Sequence, residues 1–285
     1  MSMEGLSLCM IVRNEERVLA RCLDSVRDLA AELVVVDTGS TDATQDIALS
    51  YGAQVLVYDF SYVDFAAARN HGIERASGRW ILVLDADETL YREDVFFVKA
   101  LVARNENAGY YLERLNRNAR DQQTTTDRLV RLFPNRPNYR YRGRVHETVD
   151  ASILAGGGRL VPARIRISHD FATDPETRRQ RNLRYIAILS EEITADPTDS
   201  TRLDFLAAEY HQLGMFLQAA EVAERITSLR PLDPEAHLRA GMYHLLYTSE
   251  RDRARADFLE ALRLRPGFAE AQSFLRRMEA EAGNG

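Results

Sequence analysis

Lysine is almost missing from this chain: Lys99 is the only one among 37 basic residues. Nearly every cation is therefore an arginine, a planar fork suited to carboxylate and phosphate. Cysteine is scarce as well. Cys9 and Cys22 have no metal or redox spacing, and Cys9 sits in an apolar run as a small buried hydrophobe, so a reducing, cytoplasmic setting is expected. No apolar run approaches the roughly 18–20 residues that a membrane span requires. The run Leu6 to Val12 is too short and too near acidic residues to read as a signal peptide. A formal charge of −6 leaves no basic excess, which argues against broad nucleic-acid binding. No Gly-x-Gly-x-x-Gly follows the first apolar run, and Asn14-Glu15 would repel a pyrophosphate there, which argues against a dinucleotide-binding dehydrogenase.

What is present is an ordinary globular composition in 285 residues, enough for one large or two modest domains. Leu6 to Val12 reads as a first strand, followed by Arg13-Asn14-Glu15-Glu16 at its carboxyl end. Leu19, Cys22, Leu23, Val26 and Leu29 then recur at helical spacing. Leu33 to Val36 is a second buried strand ending at Asp37, and Ser40 or Thr41 is the expected N-cap of the next helix. Gln54 to Tyr58 makes a third strand and Phe65 to Ala76 a helix, closed by Gly78. Trp80 to Leu84 is the fourth strand, apolar throughout and so buried on both faces. It runs directly into Asp85-Ala86-Asp87-Glu88.

Strands alternating with helices predict a parallel sheet wrapped by helices, with ligands beyond the carboxyl ends of the strands. Arg13 to Glu15, Asp37 and Asp85 to Asp87 all fall at that edge. Two hard oxygen donors two residues apart can hold a divalent cation against a diphosphate. The competing reading of Asp-Ala-Asp-Glu is a polar turn in which Asp87 or Glu88 opens a helix. The convergence of acids at one edge favours the cation.

Four stretches in order, Ser-Leu-Cys-Met-Ile-Val-Arg-Asn-Glu-Glu, Val-Val-Val-Asp-Thr-Gly-Ser-Thr-Asp, Asp64-Phe65 with Arg69-Asn70, and Trp-Ile-Leu-Val-Leu-Asp-Ala-Asp-Glu, resemble family 2 glycosyltransferases of the GT-A fold. The resemblance extends to the bacterial branch in which tetratricopeptide-like helices follow the catalytic domain. It implies a metal-dependent, inverting hexosyltransferase using a nucleotide-diphosphate sugar, a UDP-sugar above all. Asp37 would then read the uracil base. Asp85 would meet the ribose or a water on the metal, and Asp87 would bind Mn²⁺ or Mg²⁺. Val12, Arg13, Glu15, Asp64, Arg69 and Ala86 would line the donor pocket. For Arg69 the plainer alternative is a surface ion pair with Asp64 or Glu74.

Tyr110 to Arg114 and Arg128 to Phe133 read as strands, with a polar, Thr-rich loop from Asn116 to Asp127 between them. Gly143-Arg144-Val145-His146-Glu147 matches a Gly-x-Val-His-Glu stretch of the resembled branch. It makes Glu147 the candidate general base, a residue that must reach the acceptor's proton at roughly 3 Å. The alternative is a structural network of His146-Glu147 with the neighbouring arginines. His169 matches a histidine that completes the cation's coordination in several GT-A enzymes and would favour Mn²⁺ over Mg²⁺. Asp170 is a second, weaker candidate, and a histidine that only ends a strand is the alternative. Gly156-Gly157-Gly158 lacks the Lys-Ser/Thr of a phosphate loop and reads as a hairpin.

From Pro175 the pattern becomes helical, and Leu229-Arg230-Pro231 recurs thirty-five residues on as Leu264-Arg265-Pro266, close to the tetratricopeptide period. The expected fold class is α/β: a GT-A, mainly parallel mixed sheet over residues 1–174, then an all-α tetratricopeptide-like region over 175–285. The expected partners are a nucleotide-sugar donor and an acceptor saccharide, peptide or small natural product, with a homodimer through the helices as a further expectation. The rival from another class is a noncatalytic scaffold that presents the helices. A nucleotidyltransferase is disfavoured because no Gly-rich basic loop follows the first strand.

Overall fold

The computed structural model describes residues 3–104, 106–118, 124–171, 174–248 and 250–282. The chain forms two compact units, Met1–Thr173 and Asp174–Gly285. The first contains strands β1 (Met3–Val12), β2 (Ala30–Asp37), β3 (Gln54–Val57), β4 (Trp80–Val83), β5 (Glu88–Leu90), β6 (Ala108–Asn118), β7 (Thr124–Pro134) and β8 (Arg159–Phe171). Its helices are α1 (Leu19–Val26), α2 (Thr44–Ser50), α3 (Phe65–Ile73), α4 (Val95–Arg104) and α5 (Asp150–Ala155). The strands form one sheet in the order β3-β2-β1-β4-β7-β6-β8-β5. β3, β2, β1 and β4 run parallel, β7 is antiparallel to both neighbours, and β5 is antiparallel to β8.

The apolar runs become buried strands because both faces of the sheet are covered. Leu8, Met10, Leu82 and Tyr110 pack in one layer, and Cys9, Val34, Ile81, Val83 and Phe133 in the other. Cys9 and Cys22 are buried free thiols. Among the described residues no helix is long and apolar enough to cross a membrane.

Several local expectations change. α1 ends at Val26, and buried Leu29 belongs to the turn beyond it. α2 begins at Thr44 behind Ala43, so neither Ser40 nor Thr41 caps it; both are occupied by Asn14 instead. α3 stops at Ile73. The polar stretch 116–127 is mostly strand: residues 116–118 end β6 and 124–127 begin β7, while 119–123 lie outside the described residues. Threonine suits a pleated surface, and Arg114 pairs directly across from Asp127. Gly156 to Gly158 end α5 and turn into β8 rather than forming a hairpin. Gly157 has φ +75, a left-handed conformation that favours glycine.

The second unit consists of α6 (Pro175–Ala195), α7 (Ser200–Gln212), α8 (Phe216–Leu229), α9 (Pro234–Tyr243), α10 (Arg251–Leu264) and α11 (Ala269–Ala282). A π-helical turn, His244–Thr248, extends α9. Asp174, Asp199 and Asp233 cap α6, α7 and α9 with their side chains. α7 packs on α8 and α9 on α10, with the tetratricopeptide-like period between corresponding helices. Gly241 lets α9 approach α10: a Cβ there would lie 2.7 Å from the buried Phe258 ring. His244 Nε2 meets Glu224 Oε1 at 3.0 Å, but Arg253 reaches the same oxygen at 2.9 Å and already supplies the countercharge.

Candidate active site

Two loops are tied together beyond β1 and β2. Val12 and Asp37 are register partners at the ends of these strands. The chain then turns through Asn14, which has φ 57, a left-handed conformation asparagine tolerates. Asn14 N–H donates to Ser40 Oγ at 3.0 Å, and its Oδ1 accepts from Thr41 N–H at 2.8 Å. Glu15 N–H donates to Thr44 Oγ1 at 2.7 Å. Val12 carbonyl accepts from both the N–H and the hydroxyl of Thr38. Arg13 is exposed beyond the strand end.

Asp37 is fully buried, and its Oδ1 accepts from Gly39 N–H and Ser40 N–H, both at 2.9 Å, and from Gln45 Nε2 at 3.1 Å. Burial opposes its ionisation, but these donors outweigh burial and hold its pKa below the usual carboxylate range. Its Oδ2 is buried with no hydrogen-bond partner. Glu15 behaves oppositely. Burial, then repulsion from Asp87, Asp42 and Asp85, pushes its pKa up to about 7.

The Asp85–Glu88 segment closes as a turn, as the competing reading had it, but Glu88 begins a strand rather than a helix. Glu88 N–H donates to Asp85 carbonyl at 3.0 Å, and Asp85 N–H donates to Glu88 Oε2 at 2.9 Å. Ala86 is buried between the two aspartates. Asp85 is committed to two arginines: Arg69 Nη2 donates to its Oδ1 and Arg131 Nη2 to its Oδ2, each at 2.7 Å. Burial opposes the charge, yet Arg131 and Arg69 hold the Asp85 carboxyl well below its ordinary range. Arg69 is thus a buried cation in the site, not a surface partner of Asp64 or Glu74. Asp64 accepts from Ala67 N–H at 2.8 Å and caps α3.

From Asp85 the ion pairs continue in one direction to the candidate base and in the other to Asp127, from which hydrogen bonds through Asn116 reach the candidate metal ligands. Arg69 Nε donates to Glu147 Oε1 at 2.6 Å. Glu147 lies in a small loop closed by reciprocal backbone bonds between Arg142 and Thr148. Gly143 and His146 have positive φ in that loop, and Phe65 N–H donates to Arg144 carbonyl, fixing it to the start of α3. Glu147 thus pairs across the fold with Arg69.

On the other side, Arg131 Nη2 also donates to Glu88 Oε1 at 2.8 Å, and Arg114 Nη1 donates to the same oxygen at 3.2 Å. Glu88 is fully buried; burial raises its pKa, and Arg131 is the main opposing charge. Arg114 grips Asp127 through Nε (3.0 Å) and Nη2 (2.7 Å). Asn116 Nδ2 donates to Asp127 Oδ2 at 3.1 Å, while Asn116 Oδ1 lies 2.7 Å from His169 Nδ1. His169 Nε2 lies 3.1 Å from Asp87 Oδ2. Sheet register makes this meeting possible, because His169 is the partner of Glu88 on one side and of Asn116 on the other. Burial lowers the His169 pKa, but Asp87 outweighs it and the net shift is upward. Asp170 instead faces Arg21 at 3.4 Å. Sequence reasoning missed Arg131, Glu88, Arg114, Asn116 and Asp127. Arg131 was the available signal: an arginine inside the apolar run Leu129 to Phe133 of β7 demands buried partners.

A mixed eight-stranded sheet flanked by helices, with acidic side chains at the carboxyl edge of its parallel strands, is the architecture of the GT-A fold. The chain belongs to glycosyl transferase family 2, whose family model matches residues 7–165, more than half of its length. A TPR repeat-containing protein of Synechococcus elongatus is 46% identical over 154 residues, covering 54% of this chain and 38% of that protein. An uncharacterized glycosyltransferase of Rickettsia typhi is 26% identical over 159 residues, 53% of each chain. The matched stretch thus spans about half, or less, of these curated relatives. Residues 1–349 of S. aureus TarS in complex with UDP-GlcNAc share the fold, with a TM-score of 0.52 at 14% identity over 91% of both chains.

Proposed function

We propose that residues 1–174 transfer a sugar from a nucleotide-diphosphate donor, most simply a UDP-sugar, to a hydroxyl or thiol acceptor with inversion at the anomeric carbon. The observation that carries this reading is the continuous run of contacts joining Glu147 to His169 and Asp87: ion pairs through Arg69, Asp85, Arg131, Glu88, Arg114 and Asp127, then hydrogen bonds through Asn116. It gathers a candidate base, two buried cations and a metal-ligating pair at the edge where open α/β sheets bind ligands. The UDP-GlcNAc held by TarS, on the same fold, supports the choice of donor.

In this reading Asp37 faces the base, because Oδ2 is an acceptor still lacking a donor and the imino N–H of uracil can supply one. Val12, Arg13, Glu15 and Ala86 line the donor side, and Asp85 serves mainly by holding Arg69 and Arg131 in place. The Asp64 carboxylate is engaged as a helix cap, so a donor contact there falls to its remaining oxygen. One carboxylate oxygen and one imidazole nitrogen 3.1 Å apart fit a cation of borderline softness, Mn²⁺ before Mg²⁺. Asp87 and His169 would hold such a cation, which would supply positive charge against the leaving diphosphate. Glu147 takes the acceptor proton as the acceptor oxygen or sulfur bonds to the anomeric carbon, and the carbon–oxygen bond to the diphosphate breaks with its electron pair. Arg69 fixes Glu147 for that task.

The acceptor is a saccharide, a peptide or a small natural product, and the helices of residues 175–285 hold it or pair two copies of the chain. The proposal places the reaction in the cytoplasm, in keeping with the buried free thiols. A thermal-shift panel of nucleoside diphosphates with Mn²⁺, Mg²⁺ or chelator tests it. UDP with Mn²⁺ is expected to raise the melting temperature, and Asp87→Ala to abolish the metal-dependent part. A well-folded protein that responds to no nucleotide would instead support the noncatalytic scaffold.

A further inference from the structure

Asn116 is neither the base nor a cation ligand in the proposed reaction, yet its place in the fold determines which nitrogen of His169 carries the proton. Asp127 is held by two bonds from the Arg114 guanidinium, so it is ionised and accepts only. Its Oδ2 lies 3.1 Å from the Asn116 amide, and an acceptor-only partner requires the NH₂ side to face it. The Asn116 carbonyl oxygen must then point the other way, to His169 Nδ1 at 2.7 Å. A carbonyl oxygen cannot donate, so His169 Nδ1 carries the proton. In the neutral ring, Nε2 is left with a lone pair, directed at Asp87 Oδ2 3.1 Å away. Two acceptor atoms facing each other at that distance repel unless a cation lies with them.

We infer that Asn116, oriented by Asp127, is a positioning residue that fixes the Nδ1–H tautomer of His169 and thereby makes Nε2 and Asp87 a joint binding pair for a divalent transition cation. This rests on the metal reading of the proposed function. It goes beyond that reading by naming a residue that no sequence motif marks. The strand register supports it independently: Asn116 and His169 are direct partners across β6 and β8, so the contact follows from backbone pairing rather than from a chance rotamer. Hydrogen-bond partners of ligating histidines typically change metal affinity by about 10–100-fold when removed.

The experiment has two readouts. Long-range ¹⁵N–¹H correlation of the histidine rings, on metal-free protein at alkaline pH where imidazoles are neutral, reports the tautomer. His169, assigned by its absence in His169→Gln, is expected to be protonated at Nδ1 in the unaltered protein and to lose that preference in Asn116→Ala. Protonation at Nε2 in the unaltered protein would overturn the proposal without any variant. Mn²⁺ titration followed by electron paramagnetic resonance is expected to give a Kd about 10–100-fold weaker in Asn116→Ala, partly restored in Asn116→Asp, which keeps an acceptor oxygen. Undiminished Mn²⁺ affinity in a folded Asn116→Ala, with affinity lost in Asp87→Ala, would overturn the positioning role and leave the metal reading standing. No Mn²⁺ binding by the unaltered protein would overturn the joint cation site, with the tautomer readout still deciding whether Asn116 orients the ring.

Discussion

Glu15 is part-buried and shares its end of the sheet with Asp42, Asp85 and Asp87, and burial first, with this crowding, has a measurable consequence. Its pKa rises from 4.5 to about 7, so the folded chain binds that proton more tightly than the unfolded chain does. The stabilisation is fully present below the unfolded value and is lost as pH rises through about 7. Glu15→Gln is therefore expected to raise the melting temperature of the metal-free protein at about pH 8 and to change it little below about pH 4.5. An equal effect at both pH values would show that neither burial nor the neighbouring acids shift Glu15. Glu147 makes a second residue-scale case. Glu147→Gln keeps an acceptor for Arg69 but cannot take a proton. It is expected to lower kcat by about 10²–10⁴-fold while leaving the UDP-induced thermal shift in place. A variant with full turnover would remove Glu147 as the base.

At the scale of elements, β7 carries the most consequential side chain. Arg131 lies among apolar neighbours with its side chain 5% exposed, and it is the shared partner of Asp85 and the fully buried Glu88. Removing one partner of a buried pair leaves an uncompensated charge, which costs about 3–5 kcal/mol. Arg131→Ala is expected to lose that much in urea unfolding, and Arg131→Ala combined with Glu88→Ala to lose less than the two single changes summed. In the helical unit, Gly241 lies against the Phe258 ring, which is itself stacked on Phe274 at 5.0 Å and has no room to retreat. Gly241→Ala is expected to cost about 1–3 kcal/mol by overpacking, despite alanine's better helix propensity. A stabilised variant would mean that α9 and α10 separate without penalty.

For the whole molecule, the proposed reaction links ligand, metal and pH. His169 has a raised pKa in the folded chain, so its pairing with Asp87 stabilises the metal-free protein fully below the ordinary value of 6.5 and fades as pH rises through the folded value. Cation binding follows the opposite course, because a ligating imidazole must be neutral. Mn²⁺ affinity is expected to fall as pH drops through the His169 pKa, and UDP stabilisation to fall with it. At about 100 times its Kd, a ligand adds about 2.7 kcal/mol to stability. A UDP shift that ignores both pH and chelator would separate nucleotide binding from the Asp87–His169 pair.

The sequence by itself determined the succession of strands and helices up to Leu84, the placement of Val12, Asp37 and Asp85 at or just beyond strand ends, and the change to helices near Pro175. These follow from patterns along the chain: continuous apolar runs, each read within a few residues, and a repeat period. It also singled out Glu147 and His169, through short motifs of the resembled family. Only the tertiary structure decided what each charged residue faces. Arg69 and Glu147 are separated by a long stretch of chain, and Asn116 meets His169 through the register of β6 and β8. The loop expected over 116–127 became largely strand for the same reason, since cross-strand pairing of Arg114 with Asp127 outweighs a polar composition. Partner choice among buried charges depends on sheet register and strand crossing, and neither is encoded in any window short enough to read along the chain.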